Sequence, residues 1–246
     1  MAVKIEIVIP SMGRADRVIT KDCITHGILC VPESEKQAYE EHNPGMNILA
    51  HPDSLKGLAL KRQFIYEHYP NSFQIDDDIK SINRLYTESG EKTSLSAEEA
   101  YDVIQFVGNM AKLAGCYLFG LNHNGNPLGY HEFRPIRLTG PLNGCIGLLE
   151  GSKLYFDKRA VVSEDYWIAA LNAYHHRMMW IDERFSIVGT DTFHNSGGCS
   201  NYRTLEQEAE DTMFLRKTFG ECITLKKDTS IAKRKHPYQR GLNIPF

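Results

Sequence analysis

Short apolar runs alternate with helical patterns in the first half of the chain. Strands are predicted where apolar runs end at turn residues, at 3–9, 28–31, 47–50 and 72–75. Helical composition and spacing predict helices at 33–42 and 58–68. Strands that alternate with helices indicate βαβ units and a mainly parallel sheet. Such sheets bind ligands beyond the carboxyl ends of their strands, so residues 11–17 and 76–78 are expected to form one site.

The second half of the chain is less regular. Helices are predicted at 96–114, 164–176 and 205–219, and strands at 116–121, 145–149 and 178–188. Ser96 with Glu99, and Thr204 with Gln207, have the spacing of capping boxes at the first and last of these helices. Residues 122–144 form a long loop whose aromatic and histidine content favours a functional role, with packing back on the core as the alternative.

Composition places the chain among soluble globular proteins. The 246 residues are 42% hydrophobic and 24% charged, which suits one domain of the larger kind. A net charge of −3 excludes a strong overall attraction to nucleic acid or membrane, so an anionic partner needs a local basic patch. The six cysteines include no C-x-x-C pair, and no signal-peptide h-region or run of about 20 apolar residues is present. A cytoplasmic protein with reduced thiols and no membrane association is expected.

An acidic triplet, Asp76, Asp77 and Asp78, follows the fourth predicted strand directly. Alternate residues of an extended segment face the same way, so Asp76 and Asp78 can address one point. Crowded carboxylates repel one another unless a cation lies between them, and hard oxygen ligands suit Mn²⁺ or Mg²⁺ bridged to substrate phosphates. A solvated turn or helix cap is the alternative for an isolated triplet. The position at a strand end favours the metal site.

Basic residues flank the same strand ends. Arg14 and Arg17 follow the first strand, and Arg62 lies early in the helix before the triplet. Arginine is suited to bidentate recognition of phosphate, and backbone amides near Gly13 also favour anions. For Lys61 taken alone, a surface charge is the preferred interpretation.

Three segments carry a resemblance to a known family. The runs VIPSMGRADRV, GLALKRQFIYEHYPNSFQIDDDI and FDKRAVVSEDYWIAAL resemble, in this order, the opening turn, the D-x-D region and the acidic pair of GT-A glycosyltransferases. The resemblance implies a GT-A, Rossmann-like α/β fold: a mainly parallel sheet flanked by helices, with a smaller mixed acceptor-side region. We therefore expect one domain, 1–246, with a nucleotide-sugar-binding half (1–121), an acceptor-side half (122–225) and a basic C-terminal tail (226–246).

The same resemblance implies roles for individual residues. Asp76 and Asp78 would hold Mn²⁺ or Mg²⁺ and the donor diphosphate, with His194 as a further ligand. The nucleotide-sugar donor would be bound by Pro10, Ser11, Gly13, Arg14, Arg17, Lys61, Arg62, Asp76, Asp77 and Lys235. Asp165, or Glu164, would be the general base of an inverting reaction. A helix N-terminus that favours acids is the alternative for this pair, and a retaining mechanism stays open.

A narrower resemblance concerns the acceptor. The combination of DDD, SEDYW and HNSGG is similar to bacteriophage glycosyltransferases that modify DNA bases such as 5-hydroxymethylcytosine. It implies a UDP-sugar donor and double-stranded DNA with hydroxymethylated bases as acceptor, in the host cytoplasm if the chain is phage-encoded. Aromatic and arginine residues of the loop suit an extruded base, and the basic tail suits phosphates. The alternatives are a glycosyltransferase for a saccharide or small molecule, a nucleotidyltransferase, and a non-catalytic GT-A-like binding module.

Overall fold

The computed structural model describes residues 2–88, 90–190, 203–225 and 237–244. The strands are β1 (Glu6–Pro10), β2 (Ile28–Pro32), β3 (Asn47–His51), β4 (Ser72–Ile75), β5 (Ile79–Arg84), β6 (Thr93–Ser94), β7 (Leu118–Asn122), β8 (Ile136–Arg137), β9 (Cys145–Leu148), β10 (Trp180–Gly189), β11 (Ile223–Leu225) and β12 (Arg240–Leu242). The helices are α1 (Lys36–His42), α2 (Leu58–His68), α3 (Ala97–Leu113), α4 (Glu164–His176) and α5 (Leu205–Phe219).

One large sheet organises the molecule. Its strand order is β3-β2-β1-β4-β9-β7-β10-β5-β6, and β8 pairs with β10. Strands β1 to β4 are mutually parallel where they pair, β9 is antiparallel to both β4 and β7, and β10 is parallel to β7. Strands β1 to β4, β7 and β10 therefore run in one direction. The predicted α/β fold, with a mainly parallel core sheet and flanking helices, is confirmed.

The sheet separates two apolar layers. Alternate residues of a strand face opposite sides, so Ile7 and Ile9 join the cluster that also contains α3, whereas Val8 packs towards α2. The side chains of β9 also alternate between the two layers, and that of Ile146 packs with α4 and α5. The two layers are close-packed: a Cβ added to Gly147 would lie 2.4 Å from the ring of Phe119.

Two features of the fold differ from the prediction. Residues 79–84, which carry no clear strand pattern, form β5 and pair antiparallel with β10. The loop 122–144 contains the short strand β8 and a 3-10 turn at Pro127–Gly129. Within the described ranges, no helix is long and apolar enough to cross a membrane.

Candidate active site

The acidic triplet forms the turn between β4 and β5, at the carboxyl end of β4. The main-chain N–H of Asp76 donates a 3.0 Å hydrogen bond to the carbonyl oxygen of Gly144, which continues the β4–β9 pairing by one residue. The Asp76 carboxylate accepts a 2.7 Å bond from Nη2 of Arg62. The chain then turns, so the next two carboxylates meet different partners.

Asp77 binds the loop that follows β1. Its carboxylate accepts bonds from Oγ of Ser11 at 2.5 Å and from Nη1 of Arg14 at 2.8 Å. The Ser11 hydroxyl also lies 2.7 Å from the hydroxyl of Tyr39, and burial raises the pKa of Tyr39 to about 12. The loop after β1 and the triplet therefore meet, as their positions at neighbouring strand ends predicted.

Asp78 is the least neutralised carboxylate of the triplet. Within the described ranges it forms no ion pair, and it accepts a long 3.4 Å bond from Oγ1 of Thr190. Burial, followed by the charges of Asp76 and Asp77, raises the pKa of Asp78 to about 6. A positive charge supplied from outside would relieve this repulsion.

The carboxylates of the triplet fit a cation whose remaining ligands come from the substrate. In the part of the chain that the structure describes, three or more His, Cys, Asp or Glu side chains do not converge as a metal site, and His194 lies outside that part. Asp76 and Asp78 offer hard oxygen ligands, and the Asp76 side chain keeps 33% of its surface exposed. Magnesium commonly binds one or two carboxylates together with water and substrate phosphates.

The other predicted donor-side residues differ in their surroundings. Lys61 is buried and donates a 2.6 Å bond to the carbonyl oxygen of Ser11, so its interpretation as a surface charge is wrong. Pro10 ends β1, and Gly13 has a φ of +68°, a conformation that glycine adopts readily. Arg17 lies on the outer side of the loop, where it donates to the carbonyl oxygen of Gly13. Lys235 lies outside the described residues.

Arg62 joins the triplet to the start of α4. The side chain is almost fully buried, and its guanidinium forms an ion pair on each side. Nη2 lies 2.7 Å from Oδ1 of Asp76, and Nε lies 3.5 Å from Oε1 of Glu164. Two acidic groups that are 88 positions apart in the sequence, 76 and 164, therefore share one cationic side chain.

Asp165 lies next to this bridge, in the first turn of α4. Burial, followed by the neighbouring charge of Glu164, raises the pKa of Asp165. The N–H of Tyr166, which donates a 2.9 Å bond to Oδ1, and the charges of Arg240 and Arg203 act in the opposite direction. A carboxylate with a raised pKa is well suited to accept a proton near neutral pH.

One residue that supports the triplet was missed from the sequence. The Thr20 hydroxyl donates a 2.6 Å bond to the carbonyl oxygen of Asp76 and accepts a 2.9 Å bond from the N–H of Ile79. It thereby closes the turn that carries the three carboxylates. No motif marks Thr20, because the contact joins residues more than 50 positions apart.

Comparison with known proteins links the chain to sugar transfer. The family model described as TET-Associated Glycosyltransferase matches residues 5–198. Among solved structures, the crystal structure of S. aureus TarS 1-349 aligns with a TM-score of 0.48 and 11% identity, over 89% of this chain and 72% of that chain. No curated protein matches the chain. The family match includes the triplet and the start of α4 and ends before α5.

Proposed function

Because this chain belongs to the TET-Associated Glycosyltransferase family, we propose that it transfers a sugar from a uridine diphosphate sugar to a hydroxymethylated base of double-stranded DNA. The observation that carries the proposal is the bridge made by Arg62 between Asp76 and Glu164. It holds the carboxylates assigned to the donor beside those assigned to the acceptor. A transferase needs this proximity, since the two substrates must meet in one reaction centre.

On the donor side, the chain supplies cationic groups and two hard oxygen ligands. Arg14 and Arg62 lie at the triplet, and arginine recognises diphosphate oxygens well. Asp76 and Asp78 would hold Mn²⁺ or Mg²⁺ there. When bound, such an ion offsets the charge that develops on the departing diphosphate.

On the acceptor side, Asp165 accepts the proton of the attacking hydroxyl group. The hydroxyl oxygen then forms a bond to the anomeric carbon, while the bond from that carbon to the diphosphate oxygen breaks on the opposite face. This single displacement inverts the configuration of the sugar. Asp165 suits the base better than Glu164, because the Glu164 carboxylate is already ion-paired with Arg62, whereas burial raises the pKa of Asp165.

The loop 122–144 supports an acceptor that is a macromolecule. Leu128 and Phe133 expose 87% and 95% of their surface, which is unusual for large apolar side chains. The first part of the loop, residues 122–128, carries successive side-chain bonds: Asn122, Asn124 and Asn126 each accept the N–H two residues further on. Exposed aromatic side chains can stack on a base that has left the duplex, and exposed apolar side chains can fill the gap that this base leaves.

The decisive test is transfer of label between defined substrates. The chain is incubated with Mn²⁺ and UDP-glucose, UDP-galactose or UDP-N-acetylglucosamine, each radiolabelled in the sugar. The acceptors are a duplex with 5-hydroxymethylcytosine, the same duplex with cytosine, and an oligosaccharide. We expect label in the hydroxymethylated duplex alone, with release of UDP. Label in the oligosaccharide would overturn the DNA acceptor, and release of pyrophosphate would indicate a nucleotidyltransferase.

A further inference from the structure

The helix that carries the proposed base is held at its start by another helix. Ser163 precedes α4, but its side chain does not cap that helix. Its hydroxyl instead donates a 2.6 Å bond to Oδ2 of Asp211 in α5. The N–H of Val162 donates a 2.8 Å bond to the same oxygen. The two residues before Glu164 are therefore fixed from outside their own helix.

The Asp211 carboxylate is fully buried and bound at both oxygens. Its second oxygen, Oδ1, accepts a 2.8 Å bond from Nε2 of Gln207. A buried carboxylate is costly unless such donors surround it. Three donors in fixed positions allow the group one orientation, so it determines where Val162 and Ser163 lie.

The same segment holds the other side of Val162. Nη2 of Arg203 donates a 3.1 Å bond to the carbonyl oxygen of Val162, and Nε of Arg203 lies 3.1 Å from Oε1 of Glu208. The N–H of Val162 is thus bound by Asp211 and its carbonyl oxygen by Arg203. The start of α4 is clamped by residues 203–211.

We propose that Asp211 is a positioning residue for the general base: it fixes residues 162–163 so that Glu164 reaches Arg62 and Asp165 faces the acceptor. This role rests on the proposed function, in which Asp165 is the base. Asp211 lies beyond residues 5–198, the part that the family model matches, so neither the match nor a sequence motif assigns it a role.

Three variants of the full chain separate positioning from stability. Asp211→Ala removes both acceptors, whereas Asp211→Asn keeps one oxygen for Val162 and Ser163 and presents an amide to Gln207. Leu215→Ala removes a buried apolar side chain one turn later in α5. It removes none of the hydrogen bonds that Asp211 and Arg203 make to residues 162–163. Each is assayed for kcat, for the KM of the labelled donor and for Tm.

We expect Asp211→Ala to lower kcat about 100-fold, as a catalytic group displaced by about 1 Å does, with the donor KM unchanged. Asp211→Asn should restore most of kcat. Leu215→Ala should lower Tm while kcat per folded molecule stays at the wild-type level. The positioning role would be overturned if Leu215→Ala lowered kcat per folded molecule as much as Asp211→Ala does. It would also be overturned if Asp211→Asn did not restore kcat.

Hydrogen exchange tests the clamp without any substrate. In Asp211→Ala, amides of residues 162–167 should exchange faster than in the wild type, and in Asp211→Asn at nearly the wild-type rate. Unchanged exchange in Asp211→Ala overturns the positioning role whatever the acceptor is. Absence of transfer by the wild-type chain counts against the proposed function instead, so the two failures are distinguishable.

Discussion

The three aspartates of the triplet show how neighbouring residues of one type come to differ chemically. Asp77 is neutralised by Arg14 and bound by Ser11, so it ties the turn to the loop after β1. Asp76 is paired with Arg62. Burial, followed by the charges of Asp76 and Asp77, raises the pKa of Asp78. Their partners, rather than their residue type, decide which of them a bound cation would stabilise most.

At Asp165, removing the ionisable group should stop chemistry and leave donor binding intact. We expect Asp165→Asn to lower transfer by about 10²- to 10⁴-fold, the usual contribution of a general base. Binding of UDP in the presence of Mn²⁺, measured by calorimetry, should be unchanged, because the proposed donor-binding groups lie in the loop after β1, on α2 and in the triplet. Asp102→Asn, at an exposed position of α3, is the matched control. Normal turnover in Asp165→Asn would remove this residue as the base.

Residues of the site were predictable where a local motif carries them. The pattern of strand and turn predicted that the triplet meets the loop after β1, as it does. The roles of Asp76, Asp78 and Arg62 in donor binding stay predictions, and the bridge from Arg62 to Glu164 was not predicted. Thr20 and Asp211 were not predictable, because each acts on a segment about 50 positions away. Such contacts depend on how the elements pack, and one sequence alone does not contain that information.

Among the elements, α4 connects Asp165, the proposed base, to the C-terminal part of the chain. The hydroxyl of Tyr166 donates a 2.8 Å bond to the carbonyl oxygen of Arg240 in β12, and the Arg240 guanidinium lies 5.5 Å from the centre of the Tyr166 ring. Arg240 is buried, binds Thr212 at 2.8 Å and pairs with Glu208. Strand β12 thus brings a positive charge towards the start of α4.

This charge should be visible in the pH dependence of transfer. The charge of Arg240 lowers the pKa of Asp165. As the proposed general base, Asp165 acts in its deprotonated form. In Arg240→Met the pKa of Asp165 should rise, so the acid limb of the kcat–pH profile should move to higher pH and kcat should recover at alkaline pH. Arg240→Lys, which keeps the charge, should shift the limb less.

The other charged groups around Asp165 stay in place in both variants. Glu164 raises its pKa from the same helix, Arg203 lowers it from the segment before α5, and Arg203 also remains as a partner for Glu208. The difference between the two variants therefore reports the charge of residue 240. An acid limb at the same pH in Arg240→Met and the wild type would show that Arg240 does not act on the base.

Helices with a clear helical composition or capping pattern were predicted closely. The ranges 58–68, 164–176 and 205–219 coincide with α2, α4 and α5, and both bonds of the predicted capping box at Ser96 are present. Strand β5 was missed, because its sequence IKSINR has few apolar residues and its Lys80 and Arg84 suit a turn equally well. Its place in the sheet comes from pairing with β10, which a local pattern does not show.

For the whole molecule, the aromatic cluster between α4 and α5 joins the helix that carries the proposed base to the rest of the fold. The Trp167 ring is buried and lies 5.2 Å from the rings of Phe214 and Phe219, and its Nε1 donates a 2.7 Å bond to the carbonyl oxygen of Tyr155. One side chain of α4 therefore contacts α5 and the segment that leads into α4. Loss of this ring would leave a cavity in the layer that supports the site.

We expect Trp167→Ala to lower the free energy of unfolding by about 3–5 kcal/mol, the usual cost of removing a large buried aromatic ring. Phe133→Ala, at an exposed loop position, should change it by less than about 0.5 kcal/mol. Urea unfolding followed by circular dichroism measures both. Similar losses of unfolding free energy in the two variants would contradict the view that Trp167 supports the core while Phe133 does not.

Because the clamp on α4 comes from residues late in the sequence, the candidate site is completed late in synthesis. A nascent chain that ends before position 211 already contains the triplet, Arg62 and both carboxylates of α4. It does not yet contain the group that holds the start of α4, nor Arg240. The triplet and Arg62 therefore leave the ribosome first, and Asp211 and Arg240, which we propose to orient and tune Asp165, leave last. A partly synthesised chain can therefore contain the proposed donor-binding elements and Asp165 before Asp211 is there to position that carboxylate.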